Sequence, residues 1–281
     1  MADEAVLYFD VLGFRAKAAG SGASAVDALS ALAQVLSASP VTALTGKWTH
    51  RYALSDSVFL THADPLHAVR QAAALFFSVT HFTAADDEPV LVRGGIGFGP
   101  VRHVRGIFLT SAEPANLVGE GVLEAVRLEQ IGLKGPRLLL ADALVRQLKT
   151  QDPEFVRWLL RPTAAPGVWE VLWPLPDQPS ALEGEELSIK DLCGLAVRLL
   201  PTHGGHPIYG EQYREFLLLV SRSVERAARY VRAKKANVRL GLADFLPLAD
   251  VVEAFESTSG LPGEFVREVY ALLNLITRRP E

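Results

Sequence analysis

The sequence predicts an α+β fold: a ferredoxin-like sandwich over residues 1–175 and a helical C-terminal extension over 176–281. Two observations carry this. Short apolar runs and helix-period runs follow one another as strand, helix, hairpin, helix, strand. Strand signals then stop near Pro174, and "PLPDQPSALEGEE", rich in proline and acid, reads as a linker to an all-helical remainder.

Each element has its own warrant. "AVLYF", residues 5–9, is short and apolar enough for a buried strand, and "DVLGF" continues it as a loop. Residues 24–37 have helical periodicity and precede Pro40. Residues 47–61 read as two strands joined by a tight turn at Leu54-Ser55-Asp56-Ser57. "PLHAVRQAAALFFSVTHF" starts on proline and repeats its apolar residues at helical spacing. "PVLVRGGIGFGPV" and "VRHVRGIFLT" read as two further strands, and 117–131 as an amphipathic helix. "RLLLAD" and "GVWEVLWP" are later strands around a helix near 142–149. The remainder reads as helices over about 188–200, 210–234, 245–257 and 262–278.

Composition narrows the function. A net charge of −4 supplies no basic field for nucleic acid. One cysteine, Cys193, excludes an internal disulfide and a cysteine zinc cluster, and reads as a small buried apolar residue. The start "MADEAVLYFD" has no basic segment ahead of a long apolar run, and no stretch is long and apolar enough for a bilayer. A soluble cytoplasmic protein that binds neither membrane nor nucleic acid is expected.

The chemistry sits in two aspartates. Asp10 ends an apolar run and Asp56 sits in the hairpin turn. Carboxylates at strand ends suit hard divalent cations, which need one or two protein carboxylates plus substrate phosphates. Gly13 lets backbone amides approach phosphate closely. Aspartates in turns are commonly structural, so these signals need a link.

The link is a resemblance. "YFDVLGFRA", "YALSDSVFL", "VRGGIGFGPV" and "NLVGEGVLEAVRLEQ" resemble, in order over residues 5–130, the motifs of class III nucleotidyl cyclases. The resemblance implies two Mn2+ or Mg2+ ions held by Asp10 and Asp56, with the Val11 carbonyl a further ligand. It implies nucleotide contacts at Gly13 and Phe14. It places Arg127 where an arginine stabilises charge on the α-phosphate. It also implies a head-to-tail homodimer with active sites across the interface.

Departures from the purine cyclases point to the base. The lysine four residues before the second metal aspartate is Tyr52 here, and the adenine-reading aspartate is Asn116. The ribose asparagine is Leu123, which shares a helix face with Arg127. A hydroxyl and an amide offer a different donor set from lysine and aspartate, in a smaller pocket. The pattern resembles the pyrimidine cyclases of bacterial Pycsar antiphage systems. That implies UTP, or alternatively CTP, as substrate, and a cyclic-nucleotide product read by a separate effector protein in antiviral defence. A non-catalytic nucleotide-binding regulator on the same fold is the other reading, supported by Leu123. Strand alternation puts His50 on Tyr52's face and Arg51 on the other. Lys134 and Arg137 are candidates for triphosphate contacts or exposed loop positions, and the late triphosphate-binding lysine of the purine cyclases is not assigned to any residue, Arg161 included. His203 and His206 read as a polar interdomain loop, and the basic run 221–236 as a solvated or partner-facing helix.

Overall fold

Strand β1 (Ala2–Val11) is the centre of the fold, paired antiparallel with a neighbour on each side. The computed structural model describes residues 2–19, 23–38, 47–86, 89–105, 114–184, 186–207, 209–234 and 245–277. Its residues form two compact units: Met1–Thr83 with Asp87–Leu133 and Arg137–Val171, and Ala84–Asp86 with Lys134–Pro136 and Leu172–Glu281.

The first unit is α+β. After β1 come α1 (Phe14–Ala19), α2 (Ala23–Ser37), β2 (His50–Leu54), β3 (Ser57–His62) and α3 (Pro65–Phe82). Then follow β4 (Val92–Arg105), β5 (Pro114–Gly119), α4 (Glu120–Glu129), β6 (Leu138–Ala141), α5 (Asp142–Gln151), α6 (Pro153–Leu159), β7 (Leu160–Pro162) and β8 (Val168–Val171). The strands make an eight-stranded sheet in the order β2-β3-β1-β4-β6-β8-β7, with β5 on β4. Its β2-β3-β1-β4 part has the ferredoxin-like strand order expected from the sequence.

Alternation along β1 sorts two faces. Ala5, Leu7, Phe9 and Val11 are buried, and Phe9 packs edge-on against Phe76 of α3. α3 starts where the sequence predicts. Asp64 caps it, accepting from the amides of Leu66 at 2.9 Å and His67 at 3.2 Å, and Pro65 opens the first turn. The other face carries Glu4, Val6, Tyr8 and Asp10. There α4 presses Ala125 and Leu128 onto β4 so closely that a Cβ on Gly97 would lie 2.1 Å from the Gly121 carbonyl.

Two expectations are corrected. The strands read as separate around Pro100 are one strand, β4. It pairs with β6 over Gly94–Ile96 and with β5 from Val101, so Pro100 sits in the gap between those partners and its missing N–H breaks neither ladder. The end of "VRHVRGIFLT", 106–110, lies outside the described residues. The helix expected from 117 starts at Glu120, because Leu117–Gly119 pair with β4. α6 and β7 were not legible as separate elements.

The second unit is helical: α7 (Glu186–Leu199), α8 (Gly210–Lys234), α9 (Leu248–Ser257) and α10 (Gly263–Thr277), with short turns at Pro179–Gly184 and Leu200–Gly204. α8 and α10 pack together, Arg222 donating to Glu268 at 2.5 Å. The basic run is thus partly paired within its own unit. Cys193 is buried as expected, and burial pushes its thiol up to about 12, so it is inert.

Candidate functional site

The acid end of the β1 face is built by register. Asp10 lies directly opposite Arg93 on β4. The Arg93 Nε donates to Asp10 Oδ1 at 3.2 Å and lies 2.6 Å from Oε1 of Glu129, the last residue of α4. Glu129 is almost fully buried. Burial raises the Asp10 carboxyl to about 6; Arg93 opposes the shift, and the charges of Glu129 and Asp56 add to it. One residue pair away, the Tyr8 hydroxyl meets Ser57 Oγ at 3.2 Å, and burial, with the same three acids, raises its pKa.

Asp56 occupies the two-residue loop between β2 and β3 and makes no side-chain hydrogen bond or ion pair with the described residues. Ser55 before it takes φ +58°, a left-handed conformation that favours glycine. Val11 ends β1 with a buried side chain; Gly13, at φ +75°, makes the turn into α1, which half-buried Phe14 begins.

Two carboxylates, Asp10 and Glu129, therefore share one guanidinium, and Asp56 at the neighbouring turn has no ion-pair partner among the described residues. Burial is the larger reason for the raised Asp10 carboxyl, and the neighbouring acids add to it. The donor set is all oxygen, as magnesium and manganese require. Asp10 and Asp56 offer carboxylate oxygens of the kind such a cation takes. Sequence reading missed Arg93 and Glu129, although both stand inside the quoted motifs; only register shows that they meet.

The other end of the face holds Tyr52. Tyr52, Phe59 and Tyr8 lie in one cross-strand row, and Tyr8 and Phe59 rings are 4.6 Å apart. The Tyr52 hydroxyl is 2.8 Å from His103 Nδ1, and His103 Nε2 is 3.0 Å from Glu4 Oε1. His50 stacks on His103 at 3.8 Å, on Tyr52's face as alternation predicts. In a flat sheet His103 would lie beyond the start of β1, far from Tyr52. The contact requires β4 to coil across this face past Gly97 and Gly99. Ligand atoms of Glu4, His50 and His103 lie within 4.8 Å of one another, yet both His103 nitrogens already have partners and the two rings lie face to face. The group reads as a hydrogen-bonded chain.

Asn116 is exposed on β5 opposite Val104, on the sheet face away from Tyr52, so one chain does not bring the two together. Leu123 is 72% exposed. Arg127, in the last turn of α4, donates a fork of 2.8 Å and 2.7 Å bonds to Glu124, and its side chain is 54% exposed. Within one chain it is not joined to Asp10. Arg137 and Arg161 both pair with Glu170, which is wholly buried and takes Arg137 at 2.6 Å and Arg161 at 3.2 Å, so Arg137 is not an exposed loop position. His203 and His206 lie within the helical unit and stack on Tyr213 and Tyr209. A cavity of about 170 Å³ under the hairpin, lined by Leu36, Trp48, Leu60 and Leu75 among others, is too small for a nucleotide.

The chain is similar to cyclase domains of known structure. A dimeric guanylyl cyclase domain of the RhoGC fusion protein from the aquatic fungus Blastocladiella emersonii is 18% identical over 61% of this chain and 97% of its own, with a TM-score of 0.46. An adenylate cyclase from Trypanosoma brucei is 18% identical over 61% and 88%, at 0.43. An adenylate/guanylate cyclase/hydrolase from Silicibacter pomeroyi is 16% identical over 60% and 95%, at 0.43. No protein-family profile and no curated protein matches the chain. At such identities the chemistry rests on this chain's own residues.

Proposed function

We propose that the sheet-bearing unit, extending over about residues 1–175, is a nucleotide cyclase that converts a pyrimidine triphosphate, UTP ahead of CTP, to its 3′,5′-cyclic monophosphate and pyrophosphate. The observation that carries this is the pair of acids, Asp10 and Glu129, on the one Arg93 guanidinium, with Asp56 unpaired among the described residues at the neighbouring turn, beside an aromatic row ending in Tyr52.

Asp10 and Asp56 would hold two Mn2+ or Mg2+ ions, with the Val11 carbonyl a further ligand. When bound, the ions supply Lewis acidity to the ribose hydroxyl and the phosphates. The chain does the rest. Arg93 keeps Asp10 and Glu129 from repelling each other before substrate arrives. Gly13 and Phe14 bring backbone close to the phosphates. Tyr52 and Asn116 face the base. Ring closure forms the bond from the 3′ oxygen to the α-phosphorus, breaks the bond to the departing pyrophosphate, and passes the 3′-hydroxyl proton to water or a substrate phosphate. Arg127 meets the charge that builds on the α-phosphate.

Arg127 and Asn116 stand apart from the acids in one chain, so they act from a second copy. Exposed Leu54 on the hairpin (79%) and Leu123 on α4 (72%) support such a homodimer. The resemblance to Pycsar cyclases supports a cyclic-UMP messenger read by a separate effector in antiviral defence, inside the cell. No helix among the described residues is long and apolar enough to cross a membrane.

A binding-only regulator is the second reading, favoured by Leu123 where a ribose contact is needed. Incubating the protein with each ribonucleoside triphosphate and Mn2+ decides. Cyclic UMP is expected. Binding without product from any triphosphate selects the regulator, and product from ATP alone overturns the base assignment.

A further inference from the structure

We infer that Glu4 and His103 fix the hydrogen-bond polarity of Tyr52, so that its hydroxyl meets a base as an acceptor and selects an N–H at the centre of the Watson–Crick edge. The inference rests on the reading above that Tyr52 faces the base.

The argument runs from the buried end outward. Glu4 is 12% exposed and His103 17%. A carboxylate can only accept, so the 3.0 Å contact puts a hydrogen on His103 Nε2. In a neutral imidazole the other nitrogen is then bare. That nitrogen, Nδ1, is the atom 2.8 Å from the Tyr52 hydroxyl, so the hydroxyl donates to it. A phenol has one hydrogen. Once that is spent inward, only lone pairs face the open side. Burial and the Glu4 charge both hold the phenol protonated, so the chain of donors stays intact. The His50 ring, stacked at 3.8 Å and tethered near Thr61, keeps the imidazole from turning over.

Uracil presents N3–H at the centre of its pairing edge, whereas cytosine presents a bare N3. An acceptor pairs with the first and leaves two lone pairs opposed with the second. A site whose polar group is left unpaired rejects the analogue strongly. The uridine preference thus has a cause outside the residue that touches the base. Glu4 and His103 are positioning residues.

Two experiments test this. Imidazole 15N shifts of the nucleotide-free protein report which His103 nitrogen carries hydrogen. A neutral ring with hydrogen on Nε2 is expected, and either an Nδ1–H tautomer or a doubly protonated ring overturns the inference whether or not the protein is a cyclase. Next, UTP and CTP are compared by equilibrium binding with Ca2+ and, where turnover occurs, by kcat/KM. Wild type should favour UTP by about tenfold or more. Glu4→Gln, whose amide can turn either way, and His103→Leu should bring the ratio towards one. His103→Gln, which can still donate to Glu4 and accept from Tyr52, should restore it. A ratio unchanged in Glu4→Gln and His103→Leu, with both folded by circular dichroism, overturns the proposal. Loss of turnover with the binding ratio intact would count against the cyclase reading alone.

Discussion

The two ends of the β1 face follow the same alternation and carry opposite kinds of chemistry. At one end Asp10, Asp56 and Glu129 outnumber Arg93, and the Asp10 carboxyl is pushed up to about 6. At the other, Glu4, His103 and Tyr52 satisfy one another in a line. The first end is incomplete without something from outside. The second is complete, and its completeness gives it a direction. Reactivity goes with unsatisfied charge and selectivity with satisfied hydrogen bonds, and one sheet face holds both.

The strongest way to break this contrast is to remove the outside-facing acid. Asp56→Ala should lower cyclic-nucleotide formation by at least about a thousandfold, because the divalent ions lose a ligand. Circular dichroism should be unchanged, since Asp56 has no side-chain partner among the described residues. Retained turnover would show that the acid end is not the reacting end.

The two ends are held on one face by the seating of α4 on β4. Gly97→Ala would drive a Cβ into the Gly121 backbone. It should cost about 2–4 kcal/mol in denaturant unfolding, at the upper end for overpacking, because backbone rather than a flexible side chain stands in the way. The Tyr52–His103 contact should loosen with it.

The burial of Asp10 beside the other acids should be visible as a pH effect. Asp10 is raised from 3.8 to about 6, so the folded chain binds a proton that the unfolded chain has already lost. Its contribution is therefore complete below pH 4 and lost as pH rises through 6. Metal-free protein should be less stable at pH 7 than this group allows at pH 4. Asp10→Asn should raise stability at pH 7 by about 1–3 kcal/mol and change little at pH 4. Thermal unfolding in EDTA checks this; Mn2+ should stabilise wild type and not the variant. The smallest expected effect is at the turn. Ser55→Gly relieves a left-handed φ of 58° and should stabilise by about 0.5–1 kcal/mol without moving the base preference.

How much of this was legible in the sequence depends on range. The order of elements, the β2–β3 turn and the α3 start were legible, because periodicity, turn residues and the Asp64-Pro65 cap act within a few positions. The placements of Asp10 and Asp56 were legible as strand-end acids. Arg93 with Glu129, and His103 with Tyr52, were not. Those pairs are 36 (129 − 93) and 51 residues apart, and they meet only through strand register, the seating of α4 and the coil of β4. Arg137 misled for a related reason: a basic residue beside two glycines reads as a loop until the buried Glu170 is seen beneath it.

β4 carries one last consequence. Arg93 and His103 stand on the same strand at an even separation, which keeps both on the β1 face. Inserting one residue between them would send one of them through the sheet to the α3 side. A lineage could lengthen this strand only two residues at a time and keep both sites. The segment should therefore be intolerant of single-codon insertions, even at positions where every side chain could be exchanged.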